Sequence, residues 1–309
     1  MISLRQHAVS LIAVFLALTL GLFLGSGFIG DRVNALTGTD RDRIGKLQDE
    51  RDALDKEVGN DTAFIKAIGP ELTKGILNKR GVLIVTAPDA ADGDVEALKG
   101  LVNGAGGTVT GQIALTTALV RDEQASKLRT VVDQSIPAGA QLRVEYTDSG
   151  SRLGDLLGTA LLTRPGQAPA SDSDRSTALQ TLRQAGFLEY PDGAVRPADL
   201  VLVVTGGEMS SDSGAQGQFV GRFSAAMAAR GSGGVLAGRS GSAEGGSPIG
   251  VVRSDPSLNN AVSTVDNVDQ QTGQLTTVLA LGDETDGRTG AYGTGPGATA
   301  ITVGAAPSK

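Results

Sequence analysis

Few residues of this 309-residue chain have the types and spacing that catalysis requires. A nucleophilic serine needs a neighbouring base, but the only histidine is His7, and the segment GRSGS around Ser240 lacks the G-x-S-x-G spacing of a nucleophile elbow. Thiol nucleophiles and zinc-thiolate sites are excluded because there is no cysteine. We therefore predict a protein that is not an enzyme and that binds no cofactor.

Two acidic segments near the C-terminus are the remaining candidates for acid–base or calcium chemistry. DNVD contains Asp266 and Asp269, and GDETDG contains Asp283, Glu284 and Asp286. A pair of carboxylates could serve a glycosidase, but sugar binding also calls for aromatic platforms, and aromatic residues make up only 3% of the chain. We therefore expect both segments to be solvated turns.

Nucleotide and nucleic-acid binding are both disfavoured. The segment TAPDAADGD, which follows an apolar run, has neither a G-x-G-x-x-G pattern nor a Walker lysine. The later segment TGGEMSSDSG offers glycines and hydroxyls for an anion but has no phosphate-binding lysine. A net charge of −7 without a run of basic residues argues against a nucleic-acid partner.

A membrane anchor is predicted near the N-terminus. Residues 8–30 contain no charge, and as a helix they extend about 34 Å, enough for a hydrocarbon core of roughly 30 Å. This stretch exceeds the apolar part of a signal peptide, and Phe28 and Ile29 follow the small residues where cleavage would occur. Because Arg5 and His7 precede it, we predict an uncleaved single-pass protein of the plasma membrane, with a cytoplasmic N-terminus and an extracytoplasmic C-terminal domain.

Small residues recur at every fourth place in this apolar stretch, and they allow two helices to approach closely in lipid. We therefore predict a transmembrane association surface formed by Ala13, Ala17, Gly21 and Gly25.

Heptad spacing in residues 31–70 predicts a short juxtamembrane coiled coil that binds a partner. Gly45 and Gly59 weaken such a helix, and Pro70 fits a boundary near its end. A single amphipathic helix packed on the following domain is the alternative. The predicted partner-binding positions are Ile44, Leu47, Arg51, Leu54, Val58, Ile65 and Ile68, and Asp61 also interrupts the apolar seam.

Alternating strands and helices after residue 80 predict a mostly parallel, Rossmann-like α/β domain. The runs GVLIV and LVLVV are continuously apolar, which is typical of strands buried on both faces, and ATAITV is predicted to be the last strand. The predicted organisation is therefore a cytoplasmic tip at 1–7, a transmembrane helix at 8–30, a coiled coil at 31–70, an extracytoplasmic α/β domain at 81–303 and a tail at 304–309.

Three segments carry a resemblance to a known family. MISLRQHAVSLIAVFLALTLGLFLGSG, VSTVDNVDQQTGQLTTVLAL and GRTGAYG resemble the actinobacterial envelope family of copper transporters that includes the MctB and SteB proteins. The resemblance covers essentially the whole chain, and the short acidic form looks more like the SteB branch.

The two branches imply different functions. The SteB branch implies a membrane protein partner of the SteA type and, through it, control of a peptidoglycan hydrolase during cell separation. The MctB branch implies copper efflux or an envelope channel. Soft copper sites use Cys, Met and His, whereas beyond the N-terminal segment the chain offers only Met209 and Met227. We therefore expect regulation of peptidoglycan hydrolysis through a bound partner, with a homodimer also open and copper transport as the alternative.

Overall fold

A computed structural model describes residues 14, 15, 17, 28–167, 169–210 and 213–304. The chain divides into two compact units, of which the first ends at Phe64 and the second begins at Ile65. The predicted anchor at 8–30 lies largely outside the described residues, as do Ala13, Gly21 and Gly25 of the association surface. Among the residues that the structure does describe, no helix combines the length and apolarity needed to cross a bilayer.

Helix α1 (Phe28–Thr73) is the longest of the described elements and has no interruption. It includes Pro70, which we expected near its end, and it continues for one further turn beyond that proline. Leu47 and the other apolar side chains of its central part are exposed. The end of the helix belongs to the second unit, where Gly69 contacts Leu275.

The second unit is built on a seven-stranded sheet with the order β3-β2-β1-β4-β5-β6-β7. All neighbouring strands are parallel except β2 and β3, which pair antiparallel at the sheet edge. The first six positions follow the order of a Rossmann-like sheet, so the prediction of a mostly parallel α/β domain is confirmed. The strands are β1 (Gly81–Thr86), β2 (Thr108–Leu115), β3 (Leu188–Glu189), β4 (Leu200–Val204), β5 (Gly234–Ala237), β6 (Ser263–Val265) and β7 (Ala291–Tyr292).

Helices cover both faces of this sheet, which is why the central strands β1 and β4 are almost wholly apolar. Along β1, Leu83 and Val85 face one apolar cluster, whereas Val82 and Ile84 face the other. The first cluster draws on α3, α4, α5 and α6, and the second draws on α2 and α9. The helices are α2 (Asp92–Gly104), α3 (Ala125–Gln134), α4 (Ser149–Leu161), α5 (Asp172–Gln184), α6 (Gln216–Ala228), α7 (Pro248–Ser254), α8 (Pro256–Asn259) and α9 (Gln271–Thr285).

Helices α4 and α6 pack with their backbones in close contact. A β-carbon on Gly150 would lie 2.6 Å from the carbonyl oxygen of Phe219, and one on Gly154 would clash with the carbonyl oxygen of Phe223. The two contacts advance together along both helices, so the helices run in the same direction. Glycine at these places is required by the close approach of two backbones.

The prediction that ATAITV forms the last strand is wrong. In the structure, residues 298–303 form only one bridge, between Tyr292 and Ala300, and the last strand is the short β7. Gly293 and Gly297 have φ angles of +126° and +73°, which turn the chain back on itself after β7. The returning segment is therefore held by three backbone hydrogen bonds, from Thr299 N (2.8 Å) and Ala300 N (3.4 Å) to Ala291 O and from Gly293 N to Ala300 O (3.0 Å).

Replacing a helical glycine by alanine should have opposite effects on stability inside and outside the contact between α4 and α6. Gly154→Ala should lower the free energy of unfolding by about 1–3 kcal/mol, because the backbones must separate to admit the methyl group. A β-carbon on Gly100 of α2 would have no neighbour within 4 Å. Gly100→Ala should therefore raise the free energy of unfolding by about 0.5–1 kcal/mol. Denaturant unfolding can be followed by tyrosine fluorescence, and equal effects of the two variants would contradict the packing.

Candidate functional site

The crevice between β1 and β4 is where a Rossmann-like sheet receives its ligand, since the strand order reverses there. In this protein the side chain of Asp89, which follows β1, crosses the crevice. The Thr205 hydroxyl donates a hydrogen bond to the Asp89 carboxylate (3.2 Å). Gly206 lies so close to that carboxylate that a β-carbon on it would be 2.6 Å from Oδ2. The crevice is therefore filled at this point by the protein's own side chain.

A second set of contacts links the next loops along the same edge. Arg239 Nε, after β5, lies 3.0 Å from Oδ2 of the buried Asp94 in α2. Burial raises the pKa of Asp94, the Arg239 charge lowers it, and the nearby Asp269 raises it further. Ser240 donates to Asp269 through its backbone N–H (2.9 Å) and its hydroxyl (3.1 Å). These groups connect the loops after β5 and β6 with α2.

A buried ion pair lies at the far end of this edge. Arg253 in α7 and Asp266 after β6 have side chains only 3% and 2% exposed, and Arg253 Nη1 is 2.5 Å from Asp266 Oδ2. Arg253 also donates to Thr264 Oγ1 (3.0 Å) and to the carbonyl oxygens of Tyr292 (2.7 Å) and Pro296 (2.9 Å). Burial lowers the pKa of Arg253, and the Asp266 carboxylate opposes that effect. The guanidinium thus joins β6, α7 and the segment after β7.

The Asp266 carboxylate also accepts hydrogen bonds from two backbone N–H groups. Thr294 N donates to Oδ1 (2.9 Å) and Gly295 N donates to Oδ2 (3.0 Å). A β-carbon at Gly293 would overlap with the same carboxylate. Gly293, the last residue of the GRTGAYG motif, and Gly295 are therefore explained by a chain that wraps closely around a buried charge.

Breaking this pair should strongly destabilise the α/β unit. Asp266→Asn leaves the Arg253 charge buried without its counter-ion, so we expect the free energy of unfolding to fall by about 3–5 kcal/mol. The matched control is Asp286→Asn, since Asp286 pairs with Arg288 at the exposed surface and should leave the unfolding midpoint unchanged. Equal midpoints for the two variants in denaturant would contradict the role of the buried pair.

Glu284 is a second buried carboxyl group, at the opposite end of the strands. It is 5% exposed in α9 and accepts hydrogen bonds from the backbone N–H (3.0 Å) and hydroxyl (2.5 Å) of Ser263. Burial raises the pKa of Glu284 to about 7, although the hydrogen bonds from Ser263, Gly234 and Thr289 lower it. Glu284 therefore changes its charge near neutral pH inside the contact between α9 and β6.

This burial predicts a stability that depends on pH. The pKa of Glu284 is higher in the folded chain than its ordinary 4.5. Its stabilising contribution to the free energy of unfolding is therefore complete below pH 4.5 and is lost as the pH rises through 7. Glu284→Gln is neutral at every pH, so its free energy of unfolding should rise relative to wild type by about 2–3 kcal/mol between pH 5 and pH 8. Unfolding of both proteins at the two pH values tests this, and a constant difference would contradict it.

The expectation of two solvated turns is wrong for Asp266 and Glu284, whereas Asp269 and Asp286 are exposed in turns. Asp266 is buried in its ion pair, and GDETDG begins inside α9, where Glu284 is buried. Asp283 and Asp286 each pair with Arg288. In the part of the chain that is described, no three His, Cys, Asp or Glu side chains are grouped so that they could hold a metal ion. The carboxylates are thus used to connect elements of the fold.

The predicted partner-binding seam of α1 falls into two parts. Its first four apolar side chains are more than half exposed, whereas the last two are half-buried in the second unit. Arg51 pairs with Asp52 (2.6 Å) and Asp55 (3.8 Å) of its own helix. The exposed positions are Ile44, Leu47, Leu54 and Val58, and the half-buried ones are Ile65 and Ile68. The role of all these positions stays a prediction.

The fold and these sites define a Rossmann-like α/β protein with a long N-terminal helix. The family described as "Copper transport outer membrane protein, MctB" matches residues 1–303, and the chain belongs to this family. It is 45% identical over 312 residues to the "Copper transporter MctB" of Mycobacterium tuberculosis H37Rv, covering 98% of this chain and 99% of the relative. The protein of the same name from Mycobacterium leprae is 45% identical over 315 residues with the same coverage.

The resemblance to the MctB and SteB family is therefore confirmed, and the preference for the SteB branch stays a prediction. The buried pair of Arg253 and Asp266 was not anticipated from the sequence. Its only signal was the concentration of glycines after β7, which indicates close approach of the backbone but does not identify the group that it surrounds.

Proposed function

We propose that this chain is an anchored, non-enzymatic envelope protein that takes part in copper transport. The observation that carries this proposal is the similarity over nearly the full length of both chains to relatives named copper transporters. The copper alternative is thus better supported than regulation of cell separation. We further propose that the anchor at 8–30 holds the chain in the plasma membrane, with the α/β unit on the extracytoplasmic side.

The donor set suggests that copper(I) is not bound by soft ligands of this chain. Such sites are built from clusters of thiolate, thioether and imidazole groups. The chain has no cysteine and one histidine, and the Met227 side chain is fully buried in the core. Met209, in the loop after β4, cannot form a cluster by itself. We therefore propose that the chain acts on copper transport through a partner.

The exposed part of the α1 seam is the proposed partner-binding surface. Ile44, Leu47, Leu54 and Val58 are 55–63% exposed on one stripe of the helix. A helix gains most of its stability by packing an apolar stripe, and Gly45 and Gly59 of this helix weaken it further. A second helix on this stripe would bury these side chains.

The charges beside the seam favour a partner different from the chain itself. With Ile44 at position a of the heptad, the flanking e and g positions carry Glu50, Asp55 and Glu57, with the neutral Gln48 among them and Arg43 just before the seam. In a parallel pair of identical helices, Glu50 would face Asp55 of the other copy, which is repulsive. We therefore propose a partner helix with basic residues at its flanking positions, rather than a homodimer.

Control of peptidoglycan hydrolysis through a membrane protein of the SteA type is the second candidate. The same exposed seam favours it, since that function also acts through a bound helix. The two candidates differ in what the partner does, so they predict different defects in cells that carry a chain with a disrupted seam.

A complementation experiment separates the two candidates. Leu47→Glu together with Leu54→Glu disrupts the seam, and Ala53→Glu together with Ala63→Glu adds the same charge to other faces of α1. In a strain that lacks the chain, we expect the control to restore growth in copper at the wild-type limit and the seam variant to restore none. Full copper tolerance with the seam variant would contradict the proposed function. Normal tolerance with unseparated daughter cells would support the second candidate.

A further inference from the structure

A polar groove of about 290 Å³ lies between α5 and the segment that follows β3, well away from the crevice described above. The segment is held in place because Arg196 N donates to Thr110 O of β2 (3.0 Å). Gly111 of β2 approaches it so closely that a β-carbon there would be 2.8 Å from Ala194 O. The segment after β3 is thus an exposed loop that is tied to β2, and α5 forms the other wall.

Three arginines converge on this groove in a chain whose net charge is −7. Arg175 is 9% exposed and is held by the Ala170 carbonyl (3.3 Å) and by the Asp172 carboxylate. Burying a guanidinium is costly unless it is paired, so its position is fixed by the fold. Each terminal nitrogen of Arg175 is engaged once in this way and keeps one further N–H for a group in the groove.

Arg183 is fixed by a different set of contacts. Its guanidinium carbon lies 4.6 Å from the centroid of the Tyr190 ring, and its Nη1 pairs with Asp192 (2.5 Å). Stacking on an aromatic face is a favourable arrangement for this group. Asp192 and the side chains of Ser176 and Gln180 line the same groove, so it offers acceptors and donors that suit hydroxyl groups.

Arg196 is the third arginine of the groove, and no carboxylate of the described residues compensates its charge. Its side chain is exposed and makes no hydrogen bond or ion pair with any residue in the described part of the chain. With Asp172 and Asp192 opposing two of the three arginines, the groove keeps one uncompensated positive charge. An anionic group held between Arg196 and Arg175 would supply the missing counter-charge through two forked hydrogen-bonding groups.

We propose that this groove binds a sugar that carries one carboxylate or phosphate group. The charge of the ligand is recognised by Arg196 and Arg175, and its hydroxyl groups are recognised by Asp192, Gln180 and Ser176. The volume is near the lower end for ligand pockets, so it suits a monosaccharide. This proposal does not depend on copper transport.

Isothermal titration calorimetry of the full chain tests the proposal with glucuronate, glucose 6-phosphate, glucose and inorganic phosphate. We expect saturable binding of glucuronate or glucose 6-phosphate, with at least tenfold weaker binding of glucose because it lacks the charge. A phosphate ion that binds as tightly as glucose 6-phosphate would overturn the sugar part of the proposal. If neither glucuronate nor glucose 6-phosphate binds, the whole proposal is overturned.

Variants then locate the site. Arg196→Gln removes an exposed, unpaired cation, so it should not affect folding and should weaken binding at least tenfold. Arg129→Gln removes an exposed arginine of α3 that lies outside the groove and should leave the affinity unchanged. Gln180→Trp, at an exposed position of α5, should block the groove. Unchanged affinity in both Arg196→Gln and Gln180→Trp would contradict this location.

Discussion

Burial of the sheet on both faces is the constraint on which the rest of this structure depends. Strands β1 and β4 are covered by helices on each side, so their side chains are apolar except for Thr86 at the end of β1. Polar chemistry is therefore displaced to the ends of the strands. At the carboxyl ends, Asp89 and Asp266 meet partners supplied by the fold itself, and this edge serves to join loops to one another.

The pair of Arg253 and Asp266 shows what such joining requires. Taking two charges out of water is expensive, and the cost is met only when geometry and further hydrogen bonds satisfy both groups. Here the guanidinium and the carboxylate together hold Tyr292, Thr294 and Gly295. The C-terminal segment thus takes its shape from a charged centre, which is why it forms turns where its β-branched residues alone favour a strand.

Helix α1 presents the opposite situation. Leu47 and Leu54 lie along an apolar stripe that is left exposed, whereas β1 and β4 bury their apolar side chains within their own unit. An exposed stripe with acidic flanks is consistent with assembly with a basic helix of another protein. The envelope role that we propose therefore rests on an incomplete surface and on family membership, while the compact unit supplies a stable body and a separate polar groove.

Much of the fold could be predicted from the sequence, because local patterns carry it. The continuous apolar runs at 81–86 and 200–204 specify buried strands, and the spacing of Val95, Leu98 and Val102 specifies the face of α2. The heptads of α1 are equally local. Short strands such as β3 and β7 escaped prediction because two residues carry no periodicity.

Contacts between distant segments could be decided only by the tertiary structure. DNVD and GDETDG have the composition of solvated turns, yet Asp266 and Glu284 are buried because Arg253 and Ser263 meet them across the sheet. Likewise Arg175, Arg183 and Arg196 are separated along the chain and converge only after α5 packs beside the segment following β3. The sequence by itself determined the long strands and the helices, since their periodicity is local, but not the short strands. Whether Asp266 and Glu284 are buried was decided by tertiary packing, since the groups that surround them come from other elements of the fold.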